Sequence, residues 1–158
     1  MNTFFISDTH FGHRGIMEHC RPQFSSVEAM DEFMIDQWNK IVTPQDRVYH
    51  LGDFAWTVKD AKRVRKRLNG TIRLVAGNHD DILELAEARL FQRIYMWRVF
   101  AEQGFIATHV PMRRDQLRNG CWMNVHGHIH EQPSPEAFHR NVCVEQTNYK
   151  PTPMEELQ

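Results

Sequence analysis

Five short apolar runs punctuate this chain, and each stops at a side chain of a metal-binding type. Phe4-Phe5-Ile6-Ser7 ends at Asp8, with His10 two residues on. Val48-Tyr49-His50-Leu51-Gly52 ends at Asp53, and Ile72–Gly77 ends at Asn78 and His79. Phe105–Thr108 ends at His109; Met123–Gly127 ends at His128, with His130 two further on. Apolar runs this short, bounded by turn residues, predict strands. Between them the apolar period lengthens to that of a helix. One helix is predicted from Ser25, where Glu28 completes a capping box and Val27, Met30, Met34, Trp38 and Ile41 form the buried stripe. Thr43-Pro44 ends it. A second is predicted over Thr57–Leu68, capped by Thr57 and stopped by Asn69-Gly70. A short third covers Asp80–Arg89, and Phe11–Arg21 reads as a loop with a short helix.

Strands therefore alternate with helices through the third strand, Thr71–Ala76, as in parallel β-α-β units. The second half changes character. Ile94–Ala101 and Phe105–Thr108 flank Glu102-Gln103-Gly104 and predict a hairpin. Met123–Val125 and Asn141–Glu145 are further short strands, and the tail from Lys150 is expected to be irregular with a frayed last turn. The expected fold class is α/β: one domain over residues 1–158, with two sheets packed face to face and helices outside. In open α/β sheets ligands bind at the carboxyl ends of strands. Residues spread over more than a hundred positions can then meet in one pocket.

Composition narrows the chemistry. The 19 Lys and Arg against 20 Asp and Glu leave a net charge of −1, so no strong basic field points to duplex nucleic acid. No polybasic segment points to a membrane surface, and nothing approaches a spanning length. The N-terminus lacks the pattern of a secretory signal. Cys20, Cys121 and Cys143 are odd in number and unclustered, which fits reduced, buried thiols in a cytoplasmic protein. Ten histidines stand out, because imidazole is the commonest metal ligand and a proton shuttle near neutral pH.

Singly, Asp8-Thr9-His10 or Gly52-Asp53 means little. Gly77-Asn78-His79-Asp80 and Gly127-His128-Ile129-His130 are more specific, and the ordered set is strong. That set resembles the calcineurin-like metallophosphoesterase superfamily from Asp8 to His130, and Asn148-Tyr149-Lys150-Pro151 looks like the end of small prokaryotic and phage members. The resemblance implies a four-layer α/β/β/α sandwich and a dinuclear centre. Asp8, His10 and His130 would hold one metal, and Asn78, His109 and His128 the other. Asp53 would bridge them, and His79 would be the catalytic acid or a stabiliser of the leaving group.

Elementary chemistry agrees with such roles. Two divalent ions bring four positive charges, of which Asp8 and Asp53 cancel two, so the pocket attracts anionic phosphate. A carboxylate bridge suits the ~3.5–4 Å spacing of two-metal sites, and a water shared by both ions would supply a hydroxide nucleophile. Mixed nitrogen and oxygen ligation suits Mn, Fe, Ni or Zn better than Mg or Ca, with Mn favoured. The expected activity is hydrolysis of phosphodiester or phosphomonoester bonds in small, nucleotide-like substrates. Two alternatives stand beside it: a nuclease, and a non-catalytic scaffold on the same fold. The oligomeric state is left open, a homodimer included.

The run Gly52-Asp53-Phe54-Ala55-Trp56 lacks the further Asp and Arg of protein-phosphatase members, so the carboxylate that would orient His79 is missing there. Asp80 or Asp81 is a candidate substitute. Arg113-Arg114, just after His109, could fork a substrate phosphate. His13 could touch substrate or fix its loop. His50 and His126 read as satisfied structural histidines, His19 and His139 as surface residues. Lys59, Lys62, Arg63, Arg65, Lys66 and Arg67 read as a solvated helix face rather than a nucleic-acid patch. Trp56 and Trp122 flank site loops, where they would be core residues or stacking platforms.

Overall fold

The computed structural model describes residues 1–157. Strand β1 (Thr3–Ile6) leads to helices α1 (Arg14–Cys20) and α2 (Val27–Ile41). Then come β2 (Arg47–His50), α3 (Val58–Arg65), β3 (Thr71–Val75), α4 (Ile82–Glu87) and β4 (Arg93–Tyr95). Strands β1 to β4 are all parallel, in the order β4-β3-β2-β1, and β9 (Thr152–Pro153) closes the far edge antiparallel to β1. The second sheet has the order β5-β6-β7-β8, from β5 (Arg98–Phe100), β6 (Phe105–Ala107), β7 (Met123–His126) and β8 (His139–Asn141).

The pleat sorts each strand's residues between two cores. Phe4, Ile6, Val48, Ile72 and Leu74 face the helices and pack with Met30, Met34, Ile35, Trp38, Ala61 and Val64. Phe5, Tyr49, Leu51 and Val75 point the other way and meet Phe105, Ala107, Met123 and Val125 of the second sheet. Being buried on both faces explains why these strands read as continuous apolar runs rather than alternating ones. Fully burying side chains of this size stabilises by about 1.5–3 kcal/mol each, and Trp38, at the centre of the helical layer, also donates its indole N–H to Asn69 O at 3.0 Å. The fold class is thus the expected one: two packed sheets with flanking helices. All four α-helices contribute side chains to the first sheet's core. A loop with a 3-10 turn (Arg114–Gln116) separates β6 from β7, and Met112 donates its N–H to the buried Asn124 of β7. Among the described residues no helix is long and apolar enough to cross a membrane.

Several boundaries differ from expectation. The cap of α2 is Ser26, which accepts from Ala29 N, not Ser25; Glu28 sits in the first turn without closing a capping box. The strand predicted over Ile94–Ala101 is two strands. β4 pairs with β3 in the first sheet and β5 pairs with β6 in the second, so the chain changes sheets at Met96-Trp97. The expected turn at Glu102-Gln103-Gly104 is present, with Gly104 in the left-handed region. The tail is ordered rather than irregular: β9 pairs with β1, and Leu157 is buried between the sheets.

Candidate metal centre

Each ligand-bearing loop leaves a parallel strand at the same edge, and the loops stay paired beyond the strands. Asp8 N donates to Gly52 O, His10 N to Asp53 O, and Gly127 N to His109 O. Ser7 bridges to Cys143 after β8, so the carboxyl edges of both sheets meet at Asp8. Asp8, His10, Asp53, His128 and His130 all adopt positive φ, between 46° and 72°. Non-glycine residues in this region cost about 1–3 kcal/mol each and cluster where surrounding structure imposes them for function. Two glycines are required by close approach. A Cβ at Gly127 would collide with Ser7 Oγ and the Asp8 carboxylate; one at Gly77 would collide with the Asp53 carboxylate and backbone nitrogen.

Seven side chains converge on one spot. Ligand atoms of Asp8, His10 and His130 lie within 4.8 Å of one another, as do those of Asp8, Asp53 and His109. Asp53 Oδ2 is 3.4 Å from His10 Nε2 and 3.6 Å from His109 Nε2. His109 Nε2 in turn lies 2.9 Å from Asn78 Oδ1 and 3.2 Å from His128 Nδ1. One set of donors therefore gathers around Asp8, His10 and His130, a second around Asn78, His109 and His128, and Asp53 faces both.

The donor atoms fit a cation better than they fit each other. Asp8 Oδ1 and His10 Nε2 are buried and have no hydrogen-bond partner among the described residues. Such an unsatisfied polar atom ordinarily costs about 1–3 kcal/mol. The other atoms of the same groups are all occupied. Asp8 Oδ2 accepts from His128 N at 2.8 Å and from the Cys143 thiol at 3.2 Å. Asp53 Oδ1 accepts from His79 N at 2.9 Å. His109 Nδ1 donates to Leu51 O at 2.8 Å, which leaves the Nε2 lone pair facing the cluster. The arrangement is thus compatible with metal binding, with Asp8, Asp53 and His109 each turned by an outer partner, as metal ligands typically are.

Electrostatics point the same way. Burial, assisted by Arg21 and the neighbouring imidazoles, holds His10 far below the ordinary histidine range, so its ring is neutral. Burial and then His109 lower His128 as well. Burial alone would also lower His130, but the hydrogen bond to Glu145 and the charge of Asp8 outweigh it and raise its pKa. Burial raises the Asp53 carboxyl, partly offset by His109 and the N–H of His79.

Two residues that sequence reasoning missed stand behind the first donor set. Glu145 accepts from His130 Nδ1 at 3.0 Å and pairs with Arg21 at 2.8 Å. Arg21, fully buried, also donates to the carbonyls of Asp8 and Thr9. A signal for Glu145 was present: Val142-Cys143-Val144 is a sixth apolar run ending at a carboxylate. Arg21 carried none, since an arginine before a proline reads as surface.

His79 is exposed at the rim, its ring 5.4 Å from that of His10 and 6.2 Å from that of His13. Neither candidate carboxylate, Asp80 or Asp81, bonds its ring. Asp80 accepts instead from the backbone N–H groups of Asp53, Phe54 and Gly77, and Asp81 caps α4 through Glu84 N. Asp80 thereby fixes the Asp53 and Asn78 loops to each other. His13 stacks on Trp56 at 4.0 Å beside His10, which places both at the cluster. Arg113 pairs with Asp115, and Arg114 lies over Phe138 just before β8. Trp122 packs over Gly104. His50 and His126 are buried and hydrogen-bonded, to Thr9 and to Gly127 O, although His50 Nδ1 finds no partner among the described residues. His139 is buried rather than on the surface, bonded to Met112 O. Of the three thiols only Cys143 is buried, and all are free.

No family model matches the chain. It is 36% identical to an uncharacterized protein of Methanocaldococcus jannaschii, MJ1445, over 96% of this chain and 86% of that one. The chain belongs to the family of this archaeal protein. Half of it is also 35% identical to 40% of the gene 66 protein of Mycobacterium phage L5. The fold matches the crystal structure of a protein of unknown function from Aquifex aeolicus, AQ665, with a TM-score of 0.79 and 28% identity. That match covers 98% of this chain and 96% of the other.

Proposed function

We propose that this chain is a dinuclear metal-dependent phosphoesterase of the calcineurin-like superfamily, acting on small, nucleotide-like phosphate esters. The observation that carries this reading is the position of Asp53 Oδ2, between candidate donors at Asp8, His10 and His130 on one side and at Asn78, His109 and His128 on the other. Asp8, His10 and His130 would hold one ion and Asn78, His109 and His128 the other, with Asp53 common to both. The nitrogen and oxygen donors suit Mn, with Fe, Ni or Zn as alternatives. When bound, two such ions supply the positive charge that draws in a phosphate ester and the acidity that readies a water for attack.

The chain's own residues do the rest. Glu145 and Arg21 keep the His130 ring turned toward Asp8. Asp80 keeps the Asp53 loop in register with Gly77. His79 stands at the rim with no hydrogen bond to its ring among the described residues, free to present a proton to a departing ester oxygen. With no carboxylate to orient it, its final position is set by substrate. The basic helix speaks against a nuclease. Arg63 pairs with Asp31 and Asp60, Arg65 binds the carbonyls of Leu68, Gly70 and Leu90, and Arg67 pairs with Glu32.

The test is to strip the protein of metal, reload it with Mn and follow an aryl phosphodiester and an aryl monophosphate. Metal-dependent turnover is expected. Asp53→Asn should abolish it, and His79→Ala should lower kcat by about 10²–10⁴-fold, the usual share of a general acid. Undiminished turnover in Asp53→Asn would refute the bridge.

A further inference from the structure

Beside Asn78 and His109 the surface opens into a depression of about 380 Å³, the size of a small-ligand site. Its walls are Ile82, Met96, Trp97, Val110 and Met112, and its lining includes no Asp, Glu, Lys or Arg. Trp97 and Met96 are 61% and 65% exposed. They sit there because the chain crosses from the first sheet to the second at these two residues, between β4 and β5, where no layer covers them. The one hydroxyl in the lining, Thr108, is already donated to Val110 O at 2.6 Å. Among the described residues no ring or cation stacks on Trp97, whereas Trp56, across the cluster, is covered on one face by His13 at 4.0 Å.

From this juxtaposition we infer that the depression is a substrate subsite, taking a flat, uncharged aromatic arm of the ester against Trp97 while its phosphate lies at the Asp53 cluster. The inference rests on the phosphoesterase reading for its phosphate and on the depression alone for its aromatic arm. Its chemistry selects the class of arm. A second phosphate or a polynucleotide backbone would find no cation there, and a sugar would find few free polar groups. A planar π face gains from an exposed indole and from the methionine thioether and aliphatic walls around it. Aryl and nucleoside esters share that chemistry. Stacking of a base on an aromatic ring is worth enough to change affinity about tenfold.

Two measurements test this and separate it from the parent reading. In the first, adenosine, which has no phosphate, is titrated into the protein while the four indole N–H signals are followed by NMR. The Trp97 signal, assigned by its loss in Trp97→Phe, should shift while that of buried Trp38 stays fixed. In the second, the Mn-loaded protein is given methyl and phenyl phosphate and the methyl diester of each, and the released phosphate or alcohol is followed. Trp97→Ala should raise KM for the phenyl ester about tenfold and leave the methyl ester within twofold, and Trp97→Phe should restore the difference. A Trp97 shift without turnover of any ester supports the subsite and removes the phosphoesterase. Turnover that Trp97→Ala leaves equally good on both esters removes the subsite and keeps the enzyme. No adenosine shift, with a dimer in sedimentation that Trp97→Ala dissociates, would assign the patch to a second copy of the chain and overturn the proposal.

Discussion

Around Asp8, His10 and His130 the donors are buried or half-buried, and a second layer of Glu145, Arg21 and Cys143 holds them. Around His109 only that one imidazole is buried; Asn78 and His128 are exposed, and Asn78 and His109 border an apolar depression. The first set reads as an anchor and the second as a mouth. The difference has a topological origin. Asp8 and His10 leave β1, flanked by β2 and the edge strand β9, and there Ser7 is bridged to Cys143, which ties the loop to the end of the second sheet. Asn78 leaves β3, next to the edge strand β4, where the chain departs for the other sheet.

The largest consequence concerns stability. Arg21→Ala would leave Glu145 buried without its cation and two carbonyls without a donor, and should cost about 3–5 kcal/mol in urea unfolding. Asn78→Ala, on the open side, should cost less than about 1 kcal/mol. Equal losses would erase the distinction between anchor and mouth.

Metal affinity should divide the same way. Glu145→Gln removes the carboxylate that fixes the His130 ring, and outer partners of this kind are typically worth about 10–100-fold in affinity. Calorimetric titration with Mn should therefore show one step weakened by that factor and the other unmoved. Weakening of both steps alike would mean that Glu145 supports the whole cluster rather than one side.

How much of this was legible in the sequence follows the same division. The loops after β1, β2, β3, β6 and β7 announced themselves, because doubly buried parallel strands read as unbroken apolar runs that stop sharply at Asp8, Asp53, Asn78, His109 and His128. The role of Glu145 was open to the same rule. The change of sheet at Met96-Trp97 was not, because Ile94–Phe100 is one apolar stretch whose break depends on which sheet each half joins. The tail's pairing with β1 was equally hidden: two residues of strand carry no periodicity, and β9 owes its place to the tertiary anchor of Leu157. His139 reads as polar, and only the fold shows Met112 O waiting for it.

The smallest effect is one of pH, and it belongs to the anchored side. His50 is fully buried under the loop between Asp8 and His10, where its Nε2 bonds Thr9 Oγ1 at 2.9 Å and its Nδ1 has no partner among the described residues. Burial, with His109 nearby, lowers its pKa to about 3. The unfolded chain takes up this proton near pH 6.5, whereas the folded chain refuses it until about pH 3. Between those values the unfolded state binds more protons, so stability falls as pH falls. The slope from one such group is on the order of 1.4 kcal/mol per pH unit. His50→Gln keeps a side chain able to bond Thr9 but cannot titrate, and should flatten the unfolding free energy between pH 6.5 and 4.5 by that amount per unit. A variant with the parent slope would mean that protonation reaches His50 without unfolding, and that the anchored side opens to water more readily than its burial implies.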